Sequence, residues 1–434
     1  MNIIYIHTHD TGRYIQPYGH NINTPNLMKL AKEGAIFRHA YCAAPTCSPS
    51  RSALLTGMAP HSCGMLGLAH LGFKLNEYNQ HLVRFLKENG YETVLCGVQH
   101  EAKAPDIIGY DIVNDYKISD STQHDTVCAN AAAKYIYDNR DNKKPFFLSF
   151  GMYNTHRIFP DNNNKIDSNY VLPPFPIYDT RETREDMASF INSAGIMDRC
   201  TGIVLDALKK SKHEEDTTVI FTTDHGIAFP YMKCNLYDTG IGVALIIKCP
   251  QNNMKGKALD SLVSHVDIFP TLCDLANLNK PVWLQGKSML PLIKGEKDEI
   301  RKEIFAEVTY HAAYEPMRCI RTDRYKLIRS YDVNNRVISV NIDDSPSKEF
   351  LIKSGYLETS KSKEMLFDLY LDPLERINVA YEKKYNDVYR KLSASLSNWM
   401  IETNDPIIHG KVEKPEGARV FKQNSLSIYD NEYE

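Results

Sequence analysis

Five short apolar runs rich in β-branched and aromatic residues, at 2–8, 93–98, 146–153, 217–223 and 243–248, constrain this chain more than any other feature. Each passes into a polar or Gly-containing loop, and between them lie stretches at 25–34, 78–89, 126–138 and 184–210 whose apolar residues recur about every 3.6 positions, as in a helix with one buried face. Short, continuously apolar strands alternating with helices predict a largely parallel sheet covered on both faces, an α/β fold. After residue 300 the pattern changes to short alternating runs at 303–310, 317–322, 325–331 and 365–370, with a closing helix at 382–402. The expected division is therefore an α/β domain over 1–300 and a smaller antiparallel α+β subdomain over 301–434. The polar, poorly periodic stretch 332–362 reads as a surface insertion or a substrate-facing loop.

In a parallel sheet, ligands bind in the crevice beyond the carboxyl ends of the strands. That rule nominates four loops, 7–12, 97–103, 154–159 and 224–229. His9 and Asp10 stand in the first, His100 in the second, His156 and Arg157 in the third, Asp224 and His225 in the fourth. A single His or Asp after a strand is more often a helix cap than a ligand. Four such loops together point to a metallohydrolase site. His9, Asp10, Asp224 and His225 would supply two carboxylates and two imidazoles, enough for one divalent ion with positions left open.

The net charge of -3, from 51 basic and 54 acidic residues, provides no global field to draw the protein onto nucleic acid or an anionic membrane. An anion must be captured locally. The ten cysteines show no CxxC pair or zinc-type spacing, and the first residues carry neither a basic leader nor an apolar membrane span. Reduced thiols in a cytoplasmic protein are expected, a processed secreted form being the alternative. Nothing in the sequence specifies an oligomeric state.

The run Cys47-Ser48-Pro49-Ser50-Arg51-Ser52-Ala53-Leu54-Leu55-Thr56-Gly57 is similar to the sulfatase signature C-x-P-S-R-x-x-L-L-T-G at every fixed position. The opening 2–12, with His9-Asp10, resembles that family's first strand and metal loop, and Val219-Ile220-Phe221-Thr222-Thr223-Asp224-His225-Gly226 resembles its second. Within the family the likeness leans towards the heparan N-sulfatases (sulfamidases), through Gly64-Met65-Leu66-Gly67-Leu68, Met197-Asp198-Arg199, Gly226-Ile227-Ala228-Phe229-Pro230, Cys234-Asn235-Leu236-Tyr237 and Trp399-Met400-Ile401-Glu402-Thr403-Asn404-Asp405-Pro406.

The resemblance implies an alkaline-phosphatase-like fold and a sulfated saccharide as substrate, N-sulfoglucosamine first. It also implies a maturation enzyme that converts Cys47 to formylglycine, the nucleophile, which Arg51 stabilises. His9, Asp10, Asp224, His225 and residue 47 fall on the metal positions, His100 on the base that expels sulfate, and His156 on a residue that contacts sulfate or protonates the leaving group. Lys233 falls on a late basic position used on sulfate, Arg157 on the Arg that follows that His in sulfamidases, and His311 and Arg318 on a stretch that faces the sugar, so these last three are expected to bind substrate. Two departures stand out. Calcium is the family's usual ion, but imidazoles at 9 and 225 favour Mn²⁺ or another transition metal. The Lys of the family's K-x-H motif is replaced by Val98, so one cation is missing. The rival readings are a phosphonate monoester or phosphodiester hydrolase of the same superfamily, whose metal site also uses an Asp-His pair, and a catalytically silent anion-binding relative.

Overall fold

The computed structural model describes residues 1–163 and 165–434. An eight-stranded sheet runs in the spatial order Ile112–Asn114, Glu92–Gly97, Phe146–Gly151, Asn2–Thr8, Thr217–Thr223, Leu245–Lys248, Ala35–Phe37, Lys257–Leu259. Only Leu245–Lys248 runs against its neighbours. The mostly parallel α/β fold expected from the apolar runs is the one observed. Alternate residues serve opposite faces. Ile4, Ile6, Val94, Phe150, Val219 and Phe221 pack under the helices Pro25–Glu33, Ser121–Asp138 and Arg181–Ser211. Ile3, Tyr5, Leu95, Phe147 and Ile220 pack on the other side, with Leu54 and Leu55 of the helix Cys47–Thr56. Each such side chain taken fully from water contributes roughly 1.5–3 kcal/mol, which is why neither face of these strands carries a polar stripe.

Helix boundaries follow capping residues more than apolar spacing. The expected helix at 126–138 begins at Ser121, because the Asp120 carboxylate accepts from the Gln123 N–H at 2.7 Å. The one expected at 184–210 spans Arg181–Ser211 from a Thr180–Thr183 capping box. That at 78–89 is reduced to Leu82–Glu88, since His81 caps it by accepting from Val83.

A second sheet of four antiparallel strands, Glu303–Tyr310, Tyr314–Thr322, Tyr325–Ser330 and Glu364–Asp368, is covered by the helix Asn386–Glu402 through Leu392, Leu396 and Met400. The stretch 332–362 carries a short helix, Pro346–Lys353, whose Ser347 hydroxyl donates to Asp186 of the long helix at 2.6 Å. All ten cysteines are buried free thiols. Among the described residues no helix is long and apolar enough to cross a membrane.

Candidate active site

The site begins with strand register. Asn2–Thr8 and Thr217–Thr223 pair in parallel with Thr8 opposite Thr223, so the next residues of each, His9-Asp10 and Asp224-His225, emerge side by side. Asp10 adopts a left-handed backbone (φ 49°) that turns its N–H onto the Asp224 carboxylate at 2.8 Å. Gly226 is required by space: a Cβ there would lie 1.9 Å from the Thr239 carbonyl oxygen.

Cys47 opens the helix Cys47–Thr56, and Arg51, one turn on, lies on the same face. The Cys47 Sγ is 3.5 Å from His225 Nε2 and 4.0 Å from Asp10 Oδ1. Arg51 is 1% exposed and donates from Nη2 to Asp224 at 3.0 Å and to the Thr8 carbonyl at 2.7 Å, while its Nη1 meets His7 Nδ1. The Ser50 hydroxyl donates to the Asp224 carbonyl at 2.5 Å, locking helix to loop. Lys233 donates to Asp10 at 2.9 Å and lies 3.1 Å from Asp343.

Burial would raise both site carboxyls, but charge overcomes it. Lys233, then His156 and His225, hold Asp10 below its ordinary value, and His225 and Arg51 do the same for Asp224. Two ionised carboxylates thus stand together in the interior. One donor atom from each of Asp10, Cys47, Asp224 and His225 lies within 4.8 Å of the others. Oxygen donors with one imidazole, buried and negatively charged, suit a divalent cation. Burial, with Asp10 and Asp224 adding to it, pushes the Cys47 thiol far above its usual range despite Lys233 and Arg51. Unmodified, it stays a neutral thiol, which is a poor nucleophile.

The structure does not bring every expected residue to this cluster. His9 stands outside the donor set: its Nδ1 lies 2.7 Å from the Met152 carbonyl and its Nε2 3.0 Å from His100 Nδ1. Burial, and after it the Arg51 charge, holds both rings well below the ordinary imidazole value. His156 borders the site, its side chain 33% exposed and its Nε2 3.8 Å from Asp10. Arg157 forms a bidentate pair with Asp186 at 2.6 and 2.9 Å, between the Phe159 and Phe229 rings. Arg318 is fully buried on Asp405, at 2.5 and 2.9 Å, and on Glu307 at 3.2 Å, where His61 also binds Glu307. Neither guanidinium is free as placed. His311 occupies the turn between two strands of the small sheet, and its buried Nδ1 has no hydrogen-bond partner among the described residues. Val98 is buried, its N–H on the Gly151 carbonyl at 3.0 Å.

Sequence reasoning missed three contributors. Asp343 reaches Lys233 across 110 positions of chain, and no local pattern marks it. His7 was detectable as an ionisable residue inside an apolar run, and it braces Arg51. His265, lowered by burial to about 3, lies against Ser50 and Thr222 at 3.3 and 3.0 Å.

A family model described as sulfatase matches residues 1–278, and one described as N-sulphoglucosamine sulphohydrolase, C-terminal, matches residues 225–350. An ulvan-active sulfatase of Formosa agariphila is 27% identical over 93% of this chain and 75% of its own. The human N-sulphoglucosamine sulphohydrolase is 26% identical over 89% of this chain and 86% of its own. A solved sulfatase structure from Bacteroides thetaiotaomicron superposes with a TM-score of 0.73 at 22% identity, over 96% of this chain and 95% of that one, a likeness of fold.

Proposed function

Since the chain belongs to the sulfatase family, we propose that it hydrolyses a sulfate ester or sulfamate of a sulfated saccharide, N-sulfoglucosamine first, using formylglycine made from Cys47. The observation that carries this reading is the cluster of Cys47, Asp10, Asp224 and His225, whose donor atoms lie within 4.8 Å of one another, with Arg51 paired to Asp224 and Lys233 to Asp10. The names of the relatives support the substrate class, because an ulvan-active sulfatase, an N-sulphoglucosamine sulphohydrolase and a Δ4,5-hexuronate-2-O-sulfatase are all similar over most of the chain. A division at about residue 300 would put the nucleophile and the metal donors in the first part, with Asp343 of the second 3.1 Å from Lys233.

Asp10, Asp224, His225 and the residue 47 side chain would hold the divalent ion, which when bound supplies positive charge to sulfuryl oxygens and acidifies the attacking hydroxyl. Formylglycine, installed by a separate maturation enzyme, supplies a hydrated aldehyde in place of a thiol that burial keeps protonated. Arg51, fixed by Asp224, Thr8 and His7, and Lys233, fixed by Asp10 and Asp343, are cations whose positions are set before substrate arrives. They offset the sulfuryl charge in a site where Val98 replaces the family lysine. His156, whose side chain is 33% exposed, protonates the departing oxygen or nitrogen as its bond to sulfur breaks. His100 takes the proton of the second hydroxyl at residue 47, so that sulfate departs and the aldehyde returns.

Matured protein is to be assayed with a sulfated and a phosphorylated ester of one aryl alcohol. Preference for the sulfate, lost in Cys47→Ala, is expected. Preference for the phosphorylated ester would assign the site to a phosphoester hydrolase, and full activity in Cys47→Ala would overturn the reading.

A further inference from the structure

We propose that His9 acts as a positioning residue that fixes the tautomer of His100, and that it is not a metal ligand. The Met152 carbonyl can only accept, so His9 Nδ1, 2.7 Å from it, carries the hydrogen. A neutral ring with its proton on Nδ1 presents a lone pair at Nε2. That lone pair faces His100 Nδ1 at 3.0 Å, and His100 must therefore donate. With its one proton on Nδ1, neutral His100 keeps Nε2 unprotonated, the form needed to accept a proton from substrate or from residue 47. No group among the described residues hydrogen-bonds that Nε2. The chain of contacts is anchored in the sheet, since the Met152 N–H donates to the His7 carbonyl at 3.0 Å, just beyond the strand Phe146–Gly151. His9 itself is 0% exposed, and the two rings meet at 70° with centroids 4.5 Å apart, so no rotation within the site reverses the pattern without leaving the Met152 carbonyl unpaired.

Two consequences separate this role from a ligand's. Both nitrogens of His9 are already committed, which leaves Asp10, Asp224, His225 and residue 47 as the groups that would hold the ion. A residue at position 9 also matters for the proton-accepting step and not for substrate affinity. The role of His100 as acceptor rests on the functional reading above, whereas its tautomer does not.

The test uses full-length protein with ¹⁵N-labelled histidine. The His100 Nε2 signal is expected at the unprotonated position and Nδ1 at the protonated one. In His9→Leu that preference is expected to disappear, kcat to fall about 10- to 100-fold, and KM and bound metal to stay as in the wild type. In His9→Gln, whose amide oxygen can still accept from His100, the tautomer and most of kcat are expected to be retained. A wild-type His100 protonated on Nε2, or loss of metal in His9→Leu as complete as in Asp224→Asn, would overturn the proposal. Protein inactive on every sulfated substrate yet showing the expected tautomer would count against the functional reading and leave this one standing.

Discussion

Replacing Arg318 by methionine distinguishes a substrate contact from a buried structural ion pair. In the folded chain the guanidinium donates to Asp405 at 2.5 and 2.9 Å and to the Val308 and Met317 carbonyls at 3.0 Å each, and it lies 3.2 Å from Glu307. All three charged side chains are at most 1% exposed. Methionine fills most of the volume but leaves two buried carboxylates facing one another with His61 beside them. Removing one partner of a buried pair costs about 3–5 kcal/mol, which is roughly two to four orders of magnitude in the folding equilibrium at ~1.4 kcal/mol per tenfold.

The pH dependence has a definite sign. Burial raises the Asp405 carboxyl and Arg318 more than reverses this. Without Arg318 the carboxyl rises, and a carboxyl raised in the folded state binds its proton more tightly there than in the unfolded chain. The deficit of the variant is therefore largest at neutral pH and narrows as pH falls. Urea unfolding of wild type and variant at neutral and mildly acid pH measures both effects, with KM determined on the folded variant. A loss of stability within that range, with KM unchanged, is expected. An unchanged unfolding midpoint together with a tenfold higher KM would refute the reasoning and return Arg318 to the sugar.

Metal analysis of protein purified without added metal is expected to find a transition metal, because His225 puts a nitrogen donor among the carboxylates; calcium alone would contradict this. Asp224→Asn removes the negative charge of one donor and of the partner of Arg51, and isothermal titration is expected to show at least a tenfold loss of metal affinity. Gly226→Ala, whose Cβ would fall 1.9 Å from a backbone oxygen, is expected to displace the Asp224–His225 loop and lower both metal affinity and the unfolding midpoint, whereas wild-type values in both would show that the loop yields freely.

The parallel sheet was legible because its strands are buried on both faces and so lack an alternating polar pattern. Cys47 and Arg51 were legible because four positions along a helix put two side chains on one face. The contacts of His9 with Met152 and His100 were not, since the left-handed turn at Asp10 sends two successive side chains to different partners. Arg157 and Arg318 looked available in the sequence only because their carboxylates, Asp186 and Asp405, lie 29 and 87 positions away. The same distance hid Asp343. Local chemistry can be read along the chain, but the pairing that spends a charge belongs to the packing.

The central claim, that Cys47 is converted to the nucleophile, is tested most directly by the mass of the tryptic peptide His39–Arg51 from active protein. The peptide also contains Cys42, a fully buried thiol outside the signature that serves as an internal reference. Loss of a sulfur and two hydrogens and gain of an oxygen are expected at position 47, with Cys42 unchanged. Active protein in which both cysteines remain thiols would contradict it.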